Sequence, residues 1–117
     1  MNILIVEDEA LIAMDLVDIV ECAGHAVVGP GHSATTGEQL ARLEQIDFAL
    51  LDINLGRGQT TERVAARLAE RGIPFVFLSA YSPDAVKFTK NHQILSKPYT
   101  EQMILDCLVR AKCENET

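Results

Sequence analysis

The sequence predicts an α/β fold in which a doubly wound, open parallel sheet of five strands alternates with five helices. Apolar runs of four to six residues recur along the chain. Amphipathic stretches of about ten to fifteen residues separate these runs, as in repeated β–α units. No Pro/Gly/Ser-rich tract or internal repeat interrupts the alternation. The length of 117 residues favours a single domain over residues 1 to 117.

The first half of the chain contains three predicted strands, at residues 2 to 6, 26 to 29 and 48 to 52. A helix over residues 9 to 23 follows the first strand, because apolar residues recur on one face as far as Ala23 and Gly24 is typical of a helix end. Pro30 ends the second strand. Ser33 then caps a predicted helix over residues 34 to 43.

The second half contains two predicted strands, at residues 74 to 79 and 93 to 96. Three helices are predicted around them: one capped by Thr60 or Thr61 that ends at Arg71, a weaker one over residues 82 to 91, and one from a cap at Thr100 to Lys112. The last helix directs three apolar side chains inward, those of Ile104, Leu108 and Ala111.

Polar residues end or follow four of the five strands. In a parallel sheet with right-handed crossovers every strand ends at the same edge, and open α/β sheets bind their ligands there. The polar residues at these positions are Glu7, Asp8, Asp52, Asn54, Ser79 and Lys97. The sequence therefore predicts a polar site at the carboxyl edge of the sheet.

The acids among these residues imply a cation. Three carboxylates about 5 Å apart repel one another by roughly 3 kcal/mol per pair at an effective dielectric constant of about 20. The strand ends offer only oxygen ligands, so the expected ion is Mg²⁺ or a similar hard cation. Glu9 is expected to begin a helix instead. Three residues lie in loops without metal-ligand spacing and are predicted as surface histidines: His25, His32 and His92.

Lys97 and Ser79 complete a predicted site for a phosphoryl group. The Lys97 ammonium adds a fixed positive charge, and the Ser79 hydroxyl can donate a hydrogen bond to an oxyanion. Asp52 lies in the middle of the set. It is therefore the expected phosphoryl acceptor, a carboxylate nucleophile that forms an acyl phosphate.

With their flanking motifs, these residues resemble the response-regulator receiver domains of two-component signalling. An acid pair follows the first strand, LLDINL surrounds Asp52, Ala80 follows Ser79, and KPY begins at Lys97. The resemblance covers nearly the whole chain. It implies a flavodoxin-like sheet with the strand order 2-1-3-4-5.

The resemblance also implies a function. A histidine kinase or histidine phosphotransfer protein would phosphorylate Asp52 in the presence of Mg²⁺. The implied metal ligands are Asp8, Asp52, the main-chain carbonyl of Asn54 and, through a water, Glu7. The implied phosphoryl ligands are Ser79 and Lys97, with a cis Lys97–Pro98 bond. Such a domain is a signalling phosphoacceptor that catalyses only its own phosphotransfer and dephosphorylation, and is otherwise not an enzyme.

In receivers, phosphorylation reshapes the face around the fourth and fifth strands and thereby switches binding to a downstream protein target. The position that usually carries the aromatic switch residue is Ile94 here. The segment from Phe77 to Tyr81, FLSAY, resembles the Phe-Ala-Thr-Gly-Tyr signature of a subgroup of single-domain receivers. Tyr81 or Phe77 is therefore the expected aromatic reporter.

Leu11 and Met14 fall on the polar arc of the first predicted helix, beside Asp15, Asp18 and Glu21. Scattered exposed apolar residues need no explanation. This pair, however, borders the predicted site, and similar receivers dock their kinase beside the first helix. Leu11 and Met14 are therefore candidate docking residues.

Composition limits the other partners. The net charge is −7, from 17 acidic and 10 basic residues with no basic cluster, which argues against direct binding to nucleic acid or an anionic membrane. The apolar runs are too short to span a bilayer, and the chain shows no signal-peptide pattern. We expect a cytoplasmic monomer or weak homodimer whose three cysteines stay reduced.

Other functions fit less well or remain open. The chain is either a stand-alone receiver or a receiver domain excised from a hybrid kinase or multidomain regulator. A phosphatase of the haloacid-dehalogenase type would need Asp-x-Asp after the first strand, whereas the comparable sequence here is Asp52-Ile53-Asn54 on the third strand. A flavodoxin-like FMN binder would need a Ser/Thr/Gly-rich phosphate loop where this chain has acids.

Overall fold

Five parallel strands form one sheet in the computed structural model, which describes residues 1 to 53, 55, 56, 58 to 79, 94 to 96 and 99 to 116. The strands are β1 (Asn2–Val6), β2 (Ala26–Gly31), β3 (Phe48–Asp52), β4 (Phe75–Ser79) and β5 (Ile94–Ser96). Their order is β2-β1-β3-β4-β5. Both the α/β class and the predicted strand order are confirmed.

Four helices occur in the described part of the chain: α1 (Ala10–Cys22), α2 (Ala34–Leu43), α3 (Glu62–Glu70) and α4 (Glu101–Glu116). The helix predicted over residues 82 to 91 lies outside the described residues. α4 continues past its predicted end at Lys112. None of the described helices is long and apolar enough to cross a membrane.

Most predicted helix caps are present. Ser33 and Thr100 each accept a hydrogen bond at 3.2 Å from the backbone N–H three residues further on. Thr60 Oγ1 accepts from the N–H of Glu62 at 3.3 Å. Within the described part of the chain, the side chain of Thr61 makes no capping hydrogen bond. Of the two alternatives at the start of α3, Thr60 is therefore the one whose side chain caps the helix.

The predicted end of β2 at Gly29 was wrong, because the strand continues through Pro30 to Gly31. β2 lies at the edge of the sheet, and its pairing with β1 shifts register between Leu4 and Val6. Proline lacks a backbone N–H, but an edge strand with such an irregularity tolerates it. The Gly29–Pro30 peptide bond is cis.

Two apolar layers cover the two faces of the sheet, because successive side chains of a strand point to opposite faces. In one layer α1 and α4 pack over residues such as Ile5 and Leu50. In the other, α2 and α3 pack over residues such as Leu4 and Leu51. The central strands are thus buried on both faces, which explains their continuous apolar sequences.

The predicted inner face of α4 is confirmed, since Ile104, Leu108 and Ala111 are buried. The prediction for α1 holds except at its end. Ala23 lies just past the last turn and is exposed, whereas Ala13 is fully buried. α1 packs on the sheet mainly through the residues in its middle, so the predicted core contact of Ala23 does not form.

Gly37 allows α2 to pack closely on the sheet. A Cβ at this position would lie 3.0 Å from Val64 Cγ2 and 3.1 Å from Val6 Cγ1. These distances are shorter than ordinary van der Waals contact, so a larger residue would push α2 away from β1 and α3. The loss of helix propensity at a glycine is therefore offset by packing.

Arg71, at the end of α3, holds the end of α2. Its Nη1 donates hydrogen bonds to the carbonyl oxygens of Ala41 at 2.6 Å and Glu44 at 2.8 Å. Carbonyls in the last turn of a helix have no partner within the helix. Arg71 therefore joins the ends of two neighbouring helices.

We expect Arg71→Met to lower the free energy of unfolding by about 1–2 kcal/mol, because the methionine keeps an apolar stem but leaves the two carbonyls without their donor. Urea unfolding followed by circular dichroism measures this change. Arg63→Met, at an exposed position of the same helix, is the matched control. Equal losses in both variants would show that the interhelix hydrogen bonds add nothing.

Candidate functional site

Three carboxylates meet at the carboxyl edge of the sheet. Glu7 and Asp8 follow β1, and Asp52 ends β3. Val6 pairs with Leu51 in the β1–β3 ladder, so Glu7 and Asp52 occupy the next position of neighbouring strands. The ligand atoms of the three acids all lie within 4.8 Å of one another. The structure therefore brings together the three acids that the sequence predicted to converge.

The three acids differ in exposure. Glu7 is fully buried and Asp52 is 5% exposed, whereas Asp8 is exposed. At this separation each pair of ionised carboxylates repels by about 3 kcal/mol at an effective dielectric constant of about 20. A divalent cation among them would offset this repulsion, and Asp8 leaves the cluster accessible from solvent.

The donor chemistry of the cluster fits a hard cation. All three ligand groups are carboxylates, and among the described residues no histidine or cysteine belongs to the group. Carboxylate oxygens suit Mg²⁺, which keeps several waters and needs only a few protein ligands. The cluster could therefore hold a metal ion, and its oxygen ligands suit a hard cation. The fourth predicted ligand, Asn54, lies outside the described residues.

Hydrogen bonds to its backbone and to its side chain hold Glu7 in place. Its N–H donates to the carbonyl of Gly31 at 2.9 Å, and its Oε2 accepts from the N–H of Glu9 at 3.3 Å. The carbonyl of Glu7 accepts a hydrogen bond at 2.9 Å from Nδ1 of His32. His32 is exposed, as predicted for a surface histidine, yet its ring contacts the backbone between two site acids. The sequence did not predict this contact, because His32 lies in a loop and has no metal-ligand spacing to other residues.

The loop after β3 approaches Asp8. Leu55 donates its N–H to the carbonyl of Gln59 at 3.0 Å, and Gln59 donates to the carbonyl of Gly56 at 2.9 Å, so the loop folds back on itself. Gly56 has a φ of +78°, which favours glycine, and a Cβ there would lie 3.4 Å from Asp8 Oδ2. Sequence reasoning missed Gly56, although a glycine four positions after Asp52 was a usable signal.

Ser79 lies at the same edge, next to the carboxylates. It is 2% exposed and follows Leu78, which pairs with Asp52 in the β3–β4 ladder. On its other side Ser79 pairs with Ser96, the last residue of β5. Lys97, the predicted phosphoryl ligand that follows in sequence, lies outside the described residues, as does Pro98.

The predicted switch residues fall partly within the described chain. Phe77 is fully buried and pairs with Ile94 across β4 and β5. Its ring makes an edge-to-face contact with Phe75, with 5.4 Å between the ring centroids. Ile94 is half-buried and packs against the same apolar layer. Tyr81 lies outside the described residues.

Tyr99 is a further residue near the acids that sequence reasoning did not single out. Burial raises the pKa of its phenol, and the negative charges of Glu7, Asp15 and Asp52 raise this pKa further. Tyr99 therefore keeps its proton over the physiological range. Its position after Lys97 and Pro98 was the available sequence signal.

The outer face of α1 carries the two predicted docking residues. Leu11 is 82% exposed and Met14 is 62% exposed, so both point to solvent as expected. Beside them an acidic cleft lies between α1 and the start of α4. Its lining residues are Asp15, Asp18, Ile19, Cys22, Tyr99 and Glu101. This face therefore combines apolar and acidic groups.

Comparisons with known proteins agree with this geometry. The chain matches no protein-family profile. It is 32% identical over 81 residues to the transcriptional regulatory protein PdtaR of Mycobacterium tuberculosis strain H37Rv. The match covers 69% of this chain and 40% of PdtaR, so the matched segment spans well under half the length of this relative.

Solved structures match over nearly the full chain. SdrG from Sphingomonas melonis Fr1 is 38% identical, with 95% of each chain covered and a TM-score of 0.81. The receiver domain of the response regulator PhyR from Erythrobacter litoralis is 28% identical, with 94% of this chain and 88% of that domain covered and a TM-score of 0.82. The similarity therefore extends over nearly the whole chain.

We expect Asp8→Asn to raise the free energy of unfolding in EDTA by about 1 kcal/mol, because it removes repulsion that solvent partly screens at this exposed position. Saturating Mg²⁺ should then raise the melting temperature of the wild type more than that of the variant, since ligands stabilise the state that binds them. Thermal unfolding with EDTA and with Mg²⁺ tests both effects. Asp18→Asn, an exposed acid outside the cluster, should show neither. The same Mg²⁺ response in Asp8→Asn and wild type would contradict a metal site at Asp8.

Proposed function

The chain belongs to the response-regulator receiver family, and we propose that it is a phosphoacceptor whose Asp52 receives a phosphoryl group from the phosphohistidine of a histidine kinase or histidine phosphotransfer protein. One observation carries the proposal: Asp52 is 5% exposed at a strand end, with its carboxylate within 4.8 Å of those of Glu7 and Asp8. An isolated structural aspartate would not need two further acids beside it.

The proposed reaction is a displacement at phosphorus. A carboxylate oxygen of Asp52 attacks, the new P–O bond gives an acyl phosphate, and the N–P bond of the phosphohistidine breaks with its electron pair returning to the donor imidazole. Asp52 itself is 5% exposed, so little of its side chain contacts bulk water. The chain's own chemistry is limited to this transfer and to the later loss of the phosphoryl group.

The neighbouring residues have separate proposed roles. Asp8, Asp52 and the main-chain carbonyl of Asn54 would hold Mg²⁺, and Glu7 would bind one of its waters. When bound, Mg²⁺ supplies positive charge that offsets the carboxylates and the phosphoryl oxygens. The Ser79 hydroxyl and the Lys97 ammonium would bind the phosphoryl oxygens, which orients the group for in-line transfer.

The proposed output is a change in a protein-binding face. A phosphoryl group on Asp52 would draw Ser79 inward and favour a second arrangement of the face around β4 and β5. Ile94 cannot supply an aromatic ring to this change, so Phe77 or Tyr81 would report it. A downstream protein target would then bind one of the two arrangements. We place this signalling in the cytoplasm, in a monomer or weak homodimer.

A second candidate is the receiver domain of a longer regulator. The observation that favours it is the size of PdtaR, of which the matched segment covers 40%. Sequencing the coding region beyond Thr117 separates the two candidates, since a stop codon there would leave the stand-alone receiver. Both candidates share the chemistry at Asp52.

Incubation with acetyl phosphate and Mg²⁺ tests the phosphoacceptor. We expect the wild-type intact mass to rise by one phosphoryl group, and expect no adduct on Asp52→Ala or on wild type in EDTA. Asp18→Asn, an exposed acid on α1, should be phosphorylated like the wild type. A wild type without any adduct, or an equal adduct on Asp52→Ala, would exclude Asp52 as the acceptor.

We further propose that the phosphodonor docks on the outer face of α1 through Leu11 and Met14. These side chains are exposed, and α1 begins shortly after Asp8, so a protein bound there would lie next to Asp52. The acids in the adjoining cleft would favour a partner surface that combines apolar and basic side chains.

Phosphotransfer rates test the docking role. The double variant Leu11→Ala/Met14→Ala should receive phosphoryl groups from autophosphorylated histidine kinases of the source organism about tenfold more slowly, because the truncation removes apolar surface that the interface would bury. Its rate with acetyl phosphate should not change. Leu43→Ala, which truncates a 78% exposed side chain on α2, is the matched control. Kinase-dependent transfer at the wild-type rate would exclude these two residues as anchors.

A further inference from the structure

The end of β1 is fixed to the β2 side of the sheet by hydrogen bonds at both ends of one residue. The N–H of Glu7 donates to the carbonyl of Gly31 at 2.9 Å. The carbonyl of Glu7 is 2.9 Å from Nδ1 of His32. A carbonyl oxygen only accepts hydrogen bonds, so Nδ1 of His32 carries the proton and donates it.

The imidazole substitutes for a backbone donor. In a regular parallel ladder a strand carbonyl accepts from a backbone N–H of the neighbouring strand. Here β2 ends at Gly31, and Ser33 already serves as the N-cap of α2. The backbone after Gly31 therefore leaves β1 before it can donate the next ladder hydrogen bond. The His32 ring supplies an N–H to the Glu7 carbonyl instead.

This hydrogen bond bears directly on Asp8. The carbonyl of Glu7 and the N–H of Asp8 belong to one planar peptide unit, so holding the carbonyl also orients the bond that leads to the Asp8 Cα. Asp8 is exposed and has little packing of its own to hold it near Asp52. On its other side lies Gly56, where even a Cβ would come within 3.4 Å of Asp8 Oδ2.

We propose that His32 is a positioning residue for the metal site. Its Nδ1–H orients the Glu7–Asp8 peptide and so keeps the two acids arranged around a divalent cation beside Asp52. The inference rests on the Mg²⁺ site proposed above and assigns that site a residue outside its carboxylate ligands. Partners that orient metal ligands typically change metal affinity about 10- to 100-fold when they are removed.

Titration of backbone amide chemical shifts with Mg²⁺ measures the effect. We expect His32→Ala to raise the dissociation constant for Mg²⁺ about tenfold, at the lower end of that range because the histidine acts through the backbone. His32→Asn should recover most of the affinity, because its side-chain N–H occupies the same δ position as Nδ1. His32→Gln carries its N–H one bond further out and should not.

His25→Ala is the matched control. The Nδ1 of His25 accepts a hydrogen bond at 3.0 Å from the amino group of Met1, at the opposite end of β1. Burial, followed by the positive charges of that amino group and of Lys112, lowers the pKa of His25, in agreement with a neutral acceptor. Its loss should affect stability but leave the Mg²⁺ dissociation constant unchanged.

The possible results distinguish the positioning role of His32 from the Mg²⁺ site on which this role depends. A wild type that does not bind Mg²⁺ would overturn the proposed metal site and the positioning role with it. A wild type that binds Mg²⁺, with the same dissociation constant in His32→Ala, would overturn only the role of His32. Should His32→Ala fail to fold, the Asn and Gln variants decide: tighter binding by Asn supports the inference, and equal binding overturns it.

Discussion

The mutual repulsion of three carboxylates is the constraint on which the rest of this structure depends. Glu7 and Asp52 are buried within 4.8 Å of each other and of Asp8, an arrangement that a flexible chain would avoid. It persists because the strands that carry the acids are buried on both faces and pair in register. Moving the backbones of Glu7 and Asp52 apart would require breaking the β1–β3 ladder or exposing both apolar layers. Burial of the sheet therefore holds Glu7 and Asp52 at neighbouring positions of this edge.

Much of the fold was predictable because its signals are local. The alternation of apolar runs with amphipathic stretches indicates β–α units, and the handedness of their connections then places all strand ends at one edge. The convergence of Glu7, Asp8 and Asp52 follows from that rule without knowledge of any side-chain contact. The inner face of α4 follows equally directly from its period.

The errors and omissions depend on tertiary context. Pro30 can continue β2 only because that strand is at the edge of the sheet, a position that the local sequence does not encode. Ala23 fits the apolar period of α1 but lies past the point where the helix meets the core. The contact between His32 and Glu7 joins residues that are far apart in sequence, across the point where two strands diverge. Each depends on where an element lies in the fold rather than on its own residues.

The acids are located mainly by the backbone. The sheet ladder sets Glu7 and Asp52, and the peptide plane held by His32 orients the approach to Asp8. Gly56, in the loop after β3, has its backbone close to the Asp8 carboxylate. A site defined in this way requires strand register and a few backbone contacts, but few particular core side chains. SdrG shares this fold with a TM-score of 0.81 at 38% identity. Core substitutions that keep the apolar volume should therefore leave β1 and β3 in register and the acids in place.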